Sequence, residues 1–400
     1  MGIILNDGQK LIKDMALDFI FNSSNQLFEF KGDPGTGKSV VINKIVEESG
    51  IDLDDIACMA YTGQASIVMR SKGLSNAKTV HASQYEYIKE FIYDEIGNII
   101  TDPVYGIPIY KTRLERKSLA DKKLIIIDEG YMIPYSMRED ILSNGVKIIV
   151  SGDSNQLDPI GDKPAFLYNK NIPALSQIMR QKENSGIIHV SKLALNGMKI
   201  PTGLHGDDCL VIYEDELNDD MILNSNIILC GRNSTREKFN NYIRRELLNI
   251  NSDLPVINEK VICRKNNWDI ECGGINLANG LIGTVTTPPS IDSFDGHTFK
   301  MSFTPDMFNL SYDLICDYKY FIADYKQKEI IKNSPYSIGE KFDFAYSITT
   351  HLAQGAQFQN VIYYEEYVHN SVNHNKLNFV GASRATDKLI YVKKYNKRYY

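Results

Sequence analysis

The residues Gly32-Asp33-Pro34-Gly35-Thr36-Gly37-Lys38-Ser39 fit the pattern G-x-x-x-x-G-K-[ST] without a mismatch. The run before them, Leu27-Phe28-Glu29-Phe30, alternates as a strand does, and the run after them sets Val41, Ile42, Ile45 and Val46 at helical spacing. A glycine-rich loop between a strand and a helix turns backbone N–H groups inward on a phosphate, and the helix N-terminus adds partial positive charge. Gly35, Thr36 and Gly37 are therefore expected to cradle phosphate, Lys38 to reach the β/γ-phosphates, and Ser39 to ligate a metal. The expected cofactors are ATP and Mg²⁺. The same loop predicts an α/β fold, because ligands of this kind sit at the carboxyl ends of parallel strands.

A chain of 400 residues with 43% apolar and 24% charged residues is ordinary for a globular protein of two or three domains. Its net charge of −6 argues against coating nucleic acid through bulk positive charge, but leaves local grooves open. The six cysteines stand singly without C-x-x-C spacing, so neither a zinc site nor a disulfide framework is expected. No basic segment leads into an apolar stretch at the start, and no run of 18 apolar residues occurs, so a cytoplasmic chain that spans no membrane is expected.

Leu11, Ile12, Met15, Ala16, Phe19 and Ile20 predict an opening amphipathic helix over 9–21, capped by Asn6, with Gln9 either the partner in a capping box or a ligand. Ile56 to Tyr61 reads as a buried strand running into Thr62-Gly63-Gln64-Ala65. From about 84 to 120 the rhythm of strand and helix is lost, and Tyr105-Gly106-Ile107-Pro108 predicts the turn of a projecting hairpin. Lys122 to Ile127 returns to the core as a parallel strand ending in Asp128 and Glu129. Asp128 is placed to hold Mg²⁺ through water, and Glu129 to take a proton from the water that attacks the γ-phosphate. Val146 to Val150 is a further core strand that delivers Gly152-Asp153-Ser154-Asn155-Gln156-Leu157-Asp158-Pro159. In the second half, Ile227 to Cys230 predicts a strand, Gly231 to Thr235 a turn and helix cap, and Leu389 to Val392 a returning strand.

The order GDPGTGKS, IIIDEG, GDSNQLDP, LSQIMRQ, TTHLAQGAQF and FVGASRAT resembles superfamily 1 helicases, and most closely the branch of phage Dda and bacterial RecD, superfamily 1B. The resemblance implies two RecA-like lobes with parallel sheets: the first over 1–83 and 121–180, the second over 181–283 and 341–400. It implies a wedge or pin inserted at 84–120 and a small SH3-like barrel at 284–340, for which the residues themselves allow an ordinary hairpin as well. By motif position Gln9 reads adenine, Gln156 senses the γ-phosphate, Arg180 and Arg384 are arginine fingers, and Gln354 and Gly355 stand at the nucleotide. Thr62, Gln64, His81, Thr349 and His351 match positions that meet the nucleic acid strand or relay to the ATP cleft.

The implied activity is ATP-driven 5′ to 3′ movement on single-stranded DNA with unwinding of the duplex, in viral replication or recombination and in the host cytoplasm if phage-encoded. Fork DNA, and a single-strand-binding protein or replisome component, are the implied partners of a monomer. An RNA helicase and a P-loop ATPase that remodels a protein without unwinding are the alternatives. The chain departs from its relatives at Tyr61, where they commonly carry proline, and at Leu352, where they commonly carry lysine. Tyr61 offers a face for base stacking, whereas Leu352 removes a phosphate contact. Trp268, the only tryptophan, fits either a core or a stacking platform.

Overall fold

A computed structural model describes residues 4–101, 106, 108–169, 171–177, 185–273, 275–291, 296–306, 310–334, 338–367 and 371–394. Arg180 lies outside them, as do Tyr105 and Ile107 of the expected hairpin turn. The chain divides into two compact units: Met1–Thr79, Leu119–Ile250 and Tyr346–Tyr400 make the first, and Val80–Ser118 with Asn251–Ala345 the second.

The first unit holds two sheets. One is built from β1 (Leu27–Gly32), β2 (Ile56–Ala60), β3 (Lys78–Thr79), β4 (Leu124–Asp128), β5 (Lys147–Gly152) and β6 (Ala174–Leu175), in the order β3-β2-β4-β5-β1-β6. All its pairs are parallel, with Phe28 opposite Ile149 and Ile127 opposite Val150. Every residue of β4 is buried, which is why it reads as an unbroken apolar run. The register brings the carboxyl ends of β1, β5 and β4 side by side, so the loops after them share one edge of the sheet.

Helix α1 (Asp7–Asn22) begins in a capping box. Asn6 Oδ1 accepts from Gln9 N at 2.8 Å, and Gln9 Oε1 accepts from Asn6 N at 3.0 Å. Helix α2 (Lys38–Ser49) ends at Gly50, whose φ of 63° closes it in the left-handed region. Asn6→Ala should cost about 1 kcal/mol and lower the melting temperature by about 2–3 °C, read by thermal unfolding followed by circular dichroism.

The second sheet of this unit comprises β7 (Gly203–His205), β8 (Cys209–Tyr213), β9 (Ile227–Cys230), β10 (Ser347–Thr349), β11 (Phe358–Tyr364) and β12 (Ala385–Lys393), in the order β10-β9-β11-β12-β8-β7. It is parallel except where β7 joins its edge antiparallel. The helix Asn233–Tyr242 follows β9, with Arg232 at its N-cap position and no side-chain cap of its own. Glu366 accepts from Gly231 N and Arg232 N, each at 2.8 Å, and from Thr235 Oγ1 at 2.7 Å.

The second unit is antiparallel. Strands Tyr85–Phe91 and Tyr110–Arg116 form a two-stranded ribbon in register from Tyr85 opposite Arg116 to Phe91 opposite Tyr110. Its outer part carries a tight turn in which Asp94 Oδ1 accepts from Ile96 N and Asn98 N. The β-rich portion extends beyond 284–340. Lys260–Cys263 pairs antiparallel with both Ile282–Val285 and Phe342–Phe344, so these strands, expected in the second lobe, lie in this unit's sheet. Two buried ion pairs brace it: Lys341 with Asp317 at 3.2 Å and Lys328 with Asp343 at 2.9 Å.

All six cysteines are free, and burial pushes the Cys58, Cys209, Cys230 and Cys263 thiols up to about 12. Among the described residues no helix is long and apolar enough to cross a membrane.

Candidate active site

The loop between β1 and α2 has the shape that its glycines permit. Gly35 and Gly37 take φ of 83° and 84°, and a Cβ on Gly37 would run into the Gln9 amide. Gln9 Nε2 donates to Thr36 O at 3.0 Å while its Oε1 closes the capping box. One buried side chain therefore fastens α1 to the cradle. Lys38 lies along the loop, its Nζ donating to Gly32 O at 2.8 Å, and is only 8% exposed.

Across from the cradle, Ser39 Oγ donates to Asp128 Oδ2 at 3.5 Å, and Ser151 Oγ donates to Asp128 Oδ1. Lys72, at the end of helix α3 (Gly63–Ser71), donates from Nζ to Ser39 Oγ at 3.1 Å. Glu129 adopts φ 54°, a left-handed conformation that costs a non-glycine residue about 1–3 kcal/mol. In that pose Gln156 Nε2 donates to Glu129 Oε2 at 2.8 Å. Gln156 is almost fully buried, so the two expected chemical groups of the γ-phosphate end are joined by a direct hydrogen bond.

These residues fit a nucleotide with Mg²⁺. A single carboxylate and a hydroxyl suit an octahedral ion that keeps most of its waters, and no cluster of three or more His, Cys, Asp or Glu able to hold a metal occurs among the described residues. A small cleft opens beside the cradle. It is bounded by Asp33 to Gly35, by Ile187 and Ile188 of helix α4 (Gly186–Leu195), and by Phe379 of helix α5 (Ser371–Ala382).

The site includes residues that sequence reasoning did not single out. Asp153 is 1% exposed, accepts from Asn155 N at 2.8 Å through Oδ1, and has no hydrogen-bond partner at Oδ2. Burial pushes its carboxyl up to about 7 against the pull of the Lys38 charge. Its signal was position: it follows β5 directly, as Glu129 follows β4. Asn155 Nδ2 also donates to Asp33 Oδ1 at 3.0 Å, tying this loop to the cradle.

Arg384 is 3% exposed and turned toward its own lobe. Its Nε donates to Val380 O at 3.1 Å, Nη1 to Ala356 O at 3.3 Å and Nη2 to Ser383 Oγ at 3.0 Å. Gln354 Nε2 reaches across to Leu157 O at 3.4 Å. Gly355, at φ 80°, lies so close to Thr62 that a Cβ there would sit 3.2 Å from Thr62 Oγ1. Thr62 itself caps helix α3 (Gly63–Ser71), accepting from Ala65 N at 3.2 Å. Gln64 is buried beside this cap with Oε1 unpartnered. Thr349 ends β10 in the interior, and His351 two residues on is exposed. Leu352 and Tyr61 are both half-buried. His81 belongs to the second unit, half-buried with its ring 6.0 Å from that of Tyr85, and burial lowers its pKa.

Residues 5–205 match the model of the AAA domain family, half of the chain. An uncharacterized protein of Acanthamoeba polyphaga mimivirus is 27% identical over 259 residues, which cover 60% of this chain and 47% of that protein. The chain thus spans about half the length of this curated relative. Among solved structures, one of two coordinating Pif1 helicases at forked double-stranded DNA superposes with a TM-score of 0.58 at 18% identity, covering 97% of this chain and 92% of that one. Bacteroides Pif1 in complex with ADP-AlF3 and single-stranded DNA gives a TM-score of 0.56 at 17% identity, with 98% and 92% covered. The chain belongs to the AAA domain family, and its fold is similar to that of the Pif1 helicases.

Proposed function

We propose that this protein is an ATP-dependent DNA helicase that moves 5′ to 3′ along single-stranded DNA and unwinds the duplex ahead of it. The observation that carries the reading is the 2.8 Å bond from Gln156 to Glu129 beside the Ser39–Asp128 pair, all at the edge of one parallel sheet. In this reading Ser39 and Asp128 hold Mg²⁺, which, when bound, neutralises charge on the phosphate oxygens. Lys38 leaves its loop carbonyls for the β/γ-phosphates. Glu129 accepts the proton of the attacking water, and Gln156 exchanges Glu129 for the γ-phosphate and so reports its presence to the rest of the chain. Arg384 and Arg180 supply charge to the transferred phosphoryl group, and Gln9 reads adenine from the position where it already braces the cradle.

Thr62, Gln64, His81, Thr349 and His351 are assigned to the strand, and the ribbon of Tyr85–Phe91 and Tyr110–Arg116 to the wedge. The protein acts as a monomer on forks in the cytoplasm, alongside a single-strand-binding protein or replisome component. The viral relative is in keeping with a viral replication or recombination role.

Steady-state ATP turnover with and without single-stranded DNA tests this. Turnover is expected to rise with DNA, and a fork with a 5′ overhang to be unwound while one with only a 3′ overhang is not. Turnover indifferent to DNA would replace this reading by a P-loop ATPase that remodels a protein. Stimulation by RNA alone would replace it by an RNA helicase.

A further inference from the structure

Helix α5 carries a lysine to which none of the chemistry above gives a task. Lys376 Nζ donates to Asp158 Oδ1 at 2.7 Å and to Tyr131 OH at 2.9 Å, and Tyr131 OH donates to the same Asp158 oxygen at 2.7 Å. The ammonium lies 4.9 Å from the centre of the Tyr131 ring. Burial works against its charge, but the bonds to Asp158 and Tyr131 outweigh it and hold the Lys376 pKa above its ordinary value.

The partners are informative. Tyr131 stands two residues after Glu129 and Asp158 two residues after Gln156, so Lys376 grips both segments whose side chains meet in the Gln156–Glu129 bond. The next residue, Leu377, packs with Phe379 and Val380 around Leu157 of the same loop. At its other end α5 runs into Ser383 and Arg384, and Arg384 is bonded to the α5 carbonyl of Val380.

We infer that Lys376 is a positioning residue that ties the Glu129 and Gln156 segments of the first lobe to α5 of the second, so that movement of Gln156 is carried along α5 to Arg384. The inference rests on the proposed hydrolysis of ATP at this site. A holding role for stability alone is disfavoured by exposure: the Asp158 side chain is 44% exposed, and pairs of that kind add little to folding. Convergence of an ammonium and a phenol on one carboxylate oxygen sets geometry instead.

The test is a cycle of Lys376→Met, Asp158→Asn and the double variant, with Lys376→Arg as the conservative control. Couplings between sites are worth about 5- to 150-fold, so Lys376→Met is expected to lower kcat for ATP about tenfold with KM within about twofold. Lys376→Arg should recover most of that loss, and the double variant should be no slower than either single one, because all remove the same link. A second readout needs no turnover: Lys376→Met should weaken trapping of ADP with aluminium fluoride by about tenfold but leave ADP affinity within about twofold. Wild-type kcat and trapping in Lys376→Met, or losses that multiply in the double variant, would overturn the inference. Failure of the helicase reading shows elsewhere, as wild-type turnover that ignores single-stranded DNA, and leaves this cycle readable.

Discussion

Glu129→Gln should lower ATP turnover by about 10³-fold while leaving nucleotide affinity and folding close to wild type, since a positioned general base contributes about 10²–10⁴. The substitution is nearly isosteric, and the new amide still offers an oxygen to Gln156 Nε2, so the 2.8 Å bond need not be lost. What disappears is the basic oxygen. Glu129 also sits at φ 54°, a strained conformation that asparagine and aspartate adopt more readily than glutamate or glutamine, so the exchange adds little strain of its own. Turnover, binding of a fluorescent ATP analogue and the melting temperature should be measured on the same preparation. A variant that keeps turnover within tenfold would remove Glu129 as the base and move attention to Asp153, a fully buried carboxyl at this edge whose pKa burial pushes up to about 7.

How far the sequence discloses this site follows from where each residue finds its partners. The first lobe was legible because a parallel strand buried on both faces is written as a continuous apolar run, as in Leu124 to Asp128, and because Gly37 and Gly50 mark turns by conformational need. Gln9 was legible only as a choice, and the structure gives the capping box together with a bond to the cradle that no local spacing encodes. The pairing within the antiparallel unit was not legible because its strands are brief and meet over long separations: Lys260–Cys263 has Phe342–Phe344 as one neighbour, a register that neither segment encodes alone. Glu366 holding the turn before the helix Asn233–Tyr242, and Lys376 holding Tyr131 and Asp158, are likewise contacts between distant segments. Residue type at such positions is no guide, since an isolated glutamate or lysine is ordinarily a solvated surface charge.

Arg384 is where the structure and the motif reading make different demands, and substitution should separate them. As an arginine finger it would be worth about 10³ or more in rate, yet its three nitrogens are engaged with Val380, Ala356 and Ser383 of its own lobe. Such bonds from a charged donor contribute about 1.5–3 kcal/mol each, so the guanidinium will leave them only when phosphate oxygens replace them as the lobes close on nucleotide. If it does so, Arg384→Lys and Arg384→Gln should each lower kcat by about 10³-fold with little change in KM, because the planar fork that spans the transferred group is lost in both. If the residue only seals the end of α5, both substitutions should lower the melting temperature while turnover stays within a few-fold. Kinetics and thermal unfolding measured together decide between them: a large loss of kcat at nearly unchanged stability requires the swing from Val380 and Ala356 to the nucleotide, and the reverse pattern would make Arg384 a structural residue at the end of α5.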